Sequence, residues 1–164
     1  MIFYFGFGAN RDLEMIRAIT GRGALGVPAS VEGFQLCVES MRNIPKQARD
    51  ILYGEWDHRF VSYGIVPHPR GRVTGTLWLL TDCQRRKIQE WELTGLWSRD
   101  VRVSAQVRAF GFTVRIPAVS EELLNQRVQL VPGEKYKTFI VPKHRLLAVA
   151  RKVCHLPPVL VGAA

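Results

Sequence analysis

Residues 101–116 read as two strands and the turn between them. Val101, Val103, Ala105 and Val107 alternate with polar residues, and Phe112 to Ile116 returns after the break at Arg108–Gly111. Alternation at period two gives a strand one buried face, and a short glycine-containing break makes its successor an antiparallel neighbour. The same kind of signal recurs along the chain. Ile2 to Phe7 is apolar and aromatic, as a buried strand is, and Ala29 to Glu39 alternates loosely through Val31, Gly33, Phe34, Leu36 and Val38. Phe60–Val66 and Arg72–Leu80 flank Pro67-His68-Pro69-Arg70-Gly71, a turn by composition. Five or six strands joined mainly by hairpins predict an α+β fold: a mostly antiparallel, barrel-like mixed β-sheet flanked by short helices.

The helices are fewer. Gly8-Ala9-Asn10 breaks the first strand, and Asn10 is the expected N-cap of a helix through Thr20, with Asp12 and Glu14 at its positive end. A second begins at Thr81-Asp82, with Asp82 as its cap, and runs through Cys83, Lys87, Ile88 and Trp91. Glu121–Val128 reads as a short helix, and Pro142–Cys154 as a longer one striped by Leu146, Leu147, Val149, Ala150 and Val153. Met41–His58, polar and carrying Pro45, is a long excursion, and the tail from Leu156 is expected to fray. Without repeats or an evident linker, residues 1–164 read as one domain.

Composition narrows the function. The chain has 164 residues, 47% of them hydrophobic, enough for a core without staples. No apolar run approaches the roughly 20 residues that span a bilayer, and the glycine-broken start reads as a strand rather than a signal peptide. A cytoplasmic protein without a membrane partner is expected. Cys37, Cys83 and Cys154 form no CxxC pair, and His58, His68, His144 and His155 have no metal-ligand spacing. No GxSxG, P-loop or GxGxxG pattern occurs, so neither metal nor cofactor is expected. The formal net charge is +9, with 17 Arg among the 23 basic residues. That excess can attract acidic partners, nucleic acid included. It is spread along the chain, however, and its densest pieces, Arg70-Gly71-Arg72 and Arg85-Arg86-Lys87, read as solvated surface. Nucleic acid is therefore the less favoured partner.

Three segments could carry chemistry. In Phe7-Gly8-Ala9-Asn10, a glycine turn between strand and helix exposes backbone N–H groups that favour a carboxylate; the plainer reading is an ordinary capped turn. Glu92 follows a helix and lies among Trp91, Leu93, Leu96 and Trp97. An acid in apolar surroundings has a raised pKa and can move protons near neutrality; the plainer reading is a solvated helix-end glutamate. Tyr136 could orient a substrate or simply pack.

In order, these pieces resemble the gamma-glutamylcyclotransferase-like family. Its opening strand ends in YGSN, here Phe7-Gly8-Ala9-Asn10. A "gy-l" strand is matched by Gly33-Phe34-Gln35-Leu36, a "GI" strand by Gly64-Ile65, and VxGxLW by Val73-Thr74-Gly75-Thr76-Leu77-Trp78. The LDxxEG helix end stands as Ile88-Gln89-Glu90-Trp91-Glu92-Leu93, YxR as Trp97-Ser98-Arg99, and the following VxV as Val101-Arg102-Val103. The segment Pro132–Tyr136 is similar to the one that ends in the family's pocket tyrosine.

The resemblance implies an enzyme that releases 5-oxoproline from a small-molecule gamma-glutamyl substrate, with Glu92 as acid/base. Phe7, Gly8, Ala9, Asn10 and Tyr136 would bind substrate, the amides of Gly8, Ala9 and Asn10 holding its carboxylate. FGAN has lost a phenol and a hydroxyl, and LDxxEG has lost Leu-Asp and its glycine, which puts the particular substrate in question more than the acid. Two alternatives stand beside this: an enzyme of the same fold acting on another amide, and a non-catalytic basic module for nucleic acid or an acidic partner.

Overall fold

A computed structural model describes residues 1–52, 61–124, 127–131 and 143–153. Tyr136, Cys154, the second part of the 41–58 excursion and the tail lie outside the described residues. Among the described residues there are six strands: β1 Ile2–Gly6, β2 Leu25–Ser40, β3 Val61–Leu80, β4 Ser98–Ala109, β5 Phe112–Leu123 and β6 Gln129–Leu130. The helices are α1 Leu13–Thr20, α2 Lys46–Leu52, α3 Asp82–Trp91 and α4 Lys143–Val153, with single 3-10 turns at Gly8–Arg11 and Met41–Asn43.

Hydrogen bonding runs β3-β1-β5-β4-β2, with β2 pairing back to β3, so five strands close a barrel and β6 extends the edge of β2. Every pairing is antiparallel except β1 with β5, which is parallel and holds Tyr4 opposite Val119. The expected mixed, mostly antiparallel barrel is what forms.

Period-two alternation splits the barrel wall into two cores. In β1, Phe5 opposite Leu77 points inward, packing with Val31, Ile65, Val73 and Ala105 inside the barrel. Its neighbour Tyr4, opposite Trp78, points outward into a second cluster with Leu80 and residues of four helices: Ile16 and Ile19 of α1, Ala48 of α2, Ile88 of α3, and Leu146, Val149 and Ala150 of α4.

Four expectations are corrected. The turn at Pro67–Gly71 is not a hairpin. Both its flanks pair with β2, Arg72 opposite Glu32 and Pro67 opposite Phe34, so one strand runs through and the register slips at Gly33. Prolines without an N–H are accommodated at such an irregularity, where ladder bonds are already interrupted. Glu121 opens no helix; it lies in β5, paired with Asp100 of β4, and residues 121–123 finish the strand. Asp12, not Asn10, caps α1, accepting from the Glu14 and Met15 amides. Thr81, not Asp82, caps α3 in a reciprocal box with Gln84.

Gly6 ends β1 where the chain folds back on itself. The Asn10 carbonyl lies against its Cα, and a Cβ there would overlap that oxygen and meet Trp78 Nε1 at 3.0 Å. Trp78 Nε1 donates to the same carbonyl at 2.8 Å, fixing the turn to the wall. Gly6→Ala should therefore lower stability by roughly 1–3 kcal/mol, the usual cost of overpacking, measurable by thermal unfolding.

Candidate active site

Glu92 stands at the C-terminus of α3, and the way that helix stops sets its direction. The Leu93 amide donates to Glu90 O at 3.2 Å and the Thr94 amide to Gln89 O at 2.9 Å, the two bonds of a Schellman stop. Such a stop needs a left-handed residue after the cap, and Leu93 supplies it at φ 48°. Glycine is the usual residue there, and it is the residue of the LDxxEG motif at this position. Ser98 Oγ donates to the Glu92 carbonyl at 2.9 Å and secures the cap from the start of β4.

The partly buried Glu92 side chain reaches the turn after β1. Asn10 Nδ2 donates to Glu92 Oε1 at 2.6 Å and to the Tyr4 hydroxyl at 2.8 Å. The Tyr4 hydroxyl donates onward to Glu121 Oε2 at 2.8 Å. Glu121 Oε1 accepts from Arg85 Nη1 at 2.7 Å, and Arg85 Nη2 meets Asp100 Oδ1 at 2.5 Å. The Arg85 guanidinium also sits over the Tyr4 ring, 5.1 Å from its centroid. An unbroken polar chain thus runs from Glu92 through the outer face of the barrel wall to β4. Among the described residues, the buried Asn10 Oδ1 has no hydrogen-bond partner.

Burial governs the electrostatics. It raises the Glu92 carboxyl above the ordinary glutamate value, against the Asn10 hydrogen bond and the charge of Arg85, both of which favour ionisation. Burial likewise pushes Glu121 up to about 8, with Arg85 opposing and Glu92 reinforcing the shift. The Tyr4 phenol is held well above its usual value by burial and by the two carboxylates, so it acts as a neutral donor. Two acids joined through Asn10 and Tyr4 resist ionising together.

Of the residues singled out in the sequence, the structure brings Asn10 and Glu92 into contact. Asn10 acts there through its side chain; its amide is turned back to Phe7 O at 3.0 Å and so is not among the donors of an anion cradle. Gly8 and Ala9 keep the first-turn amides that a 3-10 turn cannot satisfy itself. Phe7 is buried and belongs to the barrel interior, and Tyr136 lies outside the described residues. Tyr4, Arg85, Asp100 and Glu121 escaped the sequence reading. Arg85 sits in a charge run that reads as solvated, yet it is only 3% exposed. One signal was available: Arg85 falls three residues before the core residue Ile88, on the same face of α3.

A separate cleft of about 320 Å³ lies between β2, β6 and the 3-10 turn at Met41, lined by Arg42, Arg127 and Gln129 among others, and none of the Glu92 network reaches it. Among the described residues no cluster of His, Cys, Asp or Glu could hold a metal ion, and no helix is long and apolar enough to cross a membrane.

No protein-family model and no curated protein matches this chain. Solved structures share its fold. A gamma-glutamyl cyclotransferase superposes with a TM-score of 0.61 at 17% identity, covering 96% of this chain and 82% of the other. An uncharacterized Homo sapiens protein gives 0.60 at 18% identity with the same coverage, 96% and 82%. The Arabidopsis thaliana protein At5g39720.1 gives 0.56 at 17% identity, over 84% of this chain and 76% of its own. The chain therefore has the gamma-glutamyl cyclotransferase fold.

Two measurements bear on this geometry. At an ordinary helix position alanine is more stable than glycine; at position 93 the order should invert, Leu93→Gly exceeding Leu93→Ala by about 1 kcal/mol in denaturant unfolding. The second concerns Glu121. A carboxyl raised on folding binds a proton in the native state that the unfolded chain releases, so stability falls as pH rises from the ordinary glutamate value to about 8. Urea midpoints should decline across that window, and Glu121→Gln should flatten the decline.

Proposed function

We propose that the protein is a gamma-glutamylcyclotransferase-like enzyme that releases 5-oxoproline from a gamma-glutamyl amide. The observation that carries this reading is the 2.6 Å bond from Asn10 to Glu92, which holds an acid of raised pKa against the turn after β1. The fold shared with a gamma-glutamyl cyclotransferase supports it.

In the proposed reaction Glu92 takes a proton from the substrate α-ammonium group. The freed amine attacks the γ-carbonyl of the same glutamyl unit, forming the ring C–N bond. Glu92 returns that proton to the leaving nitrogen as the amide C–N bond breaks, then takes the second proton from the ring nitrogen and passes it to the departing amine, which leaves as an ammonium. Ring closure is intramolecular, so much of the enzyme's task is to hold the substrate in a folded conformation. The Gly8 and Ala9 amides would receive the substrate carboxylate. Asn10 Oδ1, a buried acceptor without a partner, would receive an N–H of the α-ammonium beside Glu92.

The test is 5-oxoproline release from a panel of gamma-glutamyl dipeptides and gamma-glutamylamines. Glu92→Gln should keep the fold and lose about 10²–10⁴-fold in kcat/KM. Glu92 must be ionised to accept the proton, so activity should fall as pH drops through its raised pKa, above the ordinary glutamate range. Asn10→Leu removes a donor that favours the carboxylate, and should move that acid limb to higher pH. Absence of product with every member of the panel would remove the cyclotransferase reading.

A further inference from the structure

One end of the barrel is unfinished. Strand β5 leaves β4 through a two-residue turn, Phe110-Gly111, with both residues at positive φ, 49° and 83°. Such turns favour asparagine and glycine at the first position, because a larger side chain is strained there. Phe110 accepts that strain and packs on nothing: it is 99% exposed. All residues from 110 to 115 are exposed, so the hairpin tip projects beyond the barrel.

The tip is apolar on the face that continues the barrel interior. Val107 and Ile116 pack against the interior cluster, while Val114, opposite Val107, and Phe112, opposite Ala109, extend that face into solvent. Phe112 is 74% and Val114 46% exposed. The first residues of β2 lie at the same end: β2 pairs with β4 at Ala29–Val107, and before that point Val27 and Leu25 are exposed on the same inward parity. A strained, solvent-facing aromatic joined to a continuous apolar rim marks an interaction surface.

Charge decides what it meets. Residues 101–119 carry Arg102, Arg108 and Arg115 and no acid. All three arginines are exposed, and the ion partner of Arg115, Glu32 of β2, is 3.9 Å away and itself well exposed. We propose that the β4–β5 hairpin tip, with the start of β2, docks on an anionic lipid surface, Phe110 and Phe112 entering the boundary between headgroups and acyl chains while Arg108 and Arg115, nearest the tip, meet phosphates. Aromatic and aliphatic side chains beneath a cationic collar are what interfacial binding requires, and a hairpin tip has few unpaired backbone groups to desolvate. A second copy fits less well, since tip-to-tip contact would oppose two cationic collars on chains of net charge +9. Nucleic acid offers phosphates but no apolar phase for Leu25, Val27 and Val114. The absence of a spanning run says nothing about surface docking.

The test is sedimentation of the full chain with vesicles of phosphatidylcholine alone and with about a third phosphatidylserine. The wild type should bind the anionic vesicles and release at high salt. Phe110→Asn separates fold from function: asparagine suits the turn, so thermal stability should hold or rise while vesicle binding drops about tenfold. Arg108→Gln and Arg115→Gln should each cost about fivefold on anionic vesicles and leave neutral ones unchanged. Equal sedimentation with and without phosphatidylserine, or Phe110→Asn binding like the wild type, overturns the proposal. So does a dimer that Phe110→Asn dissociates, or a salt-dependent gel shift with nucleic acid, in the absence of vesicle binding.

Discussion

Arg85 is the constraint on which the arrangement at Glu92 depends. A guanidinium only 3% exposed must be compensated, and it is: by Glu121 on β5, by Asp100 on β4, and by the face of the Tyr4 ring on β1. Those partners come from three strands, so the pair fixes how α3 is rotated and seated on the wall. Ile88, one turn further along the same helix face, is fully buried, and Glu92 follows a turn after that, at the helix end. The direction in which Glu92 points is thus set some ten ångströms away, along the helix axis, by an ion pair. Replacing Arg85 would remove at once the partner of Glu121, Asp100 and the Tyr4 ring, a loss that a solvated pair would not carry.

Alternation in the barrel wall divides the labour. Inward positions of β1, β3, β4 and β5 form an apolar plug of Phe5, Leu77, Val103 and Ala118. Outward positions of the same strands carry Tyr4, Trp78 and Glu121, which meet the helices and the polar chain. Adjacent residues of one strand therefore serve the apolar core and the polar chain separately, and a slip of one residue would exchange the two faces.

That division explains what could be read from the sequence. The barrel was legible because period-two alternation and the break at residues 108–111 are local signals, and the burial of Glu92 was legible because its apolar neighbours are local too. Tyr4 and Glu121 were not, because their pairing spans 117 residues of sequence and only barrel closure brings them together. Glu121 was read into a helix because an acid followed by Glu122, Leu123 and Leu124 has helical propensity; the ladder opposite Asp100 overrode it. Asn10 was read correctly as a turn residue and wrongly as a cap, since both roles favour the same side chain. The Pro67–Gly71 turn failed for a related reason: proline and glycine mark an interruption, and composition does not distinguish a reversal from a bulge.

The parallel pairing of β1 with β5 has a kinetic consequence. It is the seam that closes the barrel, and it joins residue 4 to residue 119, whereas the β4–β5 hairpin and the antiparallel β2–β3 ladder form from nearer segments. Loop closure over that span is entropically late. Tyr4 on β1 and Glu121 on β5 face each other across this seam, so the link that joins the two ends of the polar chain waits on the closure that comes latest.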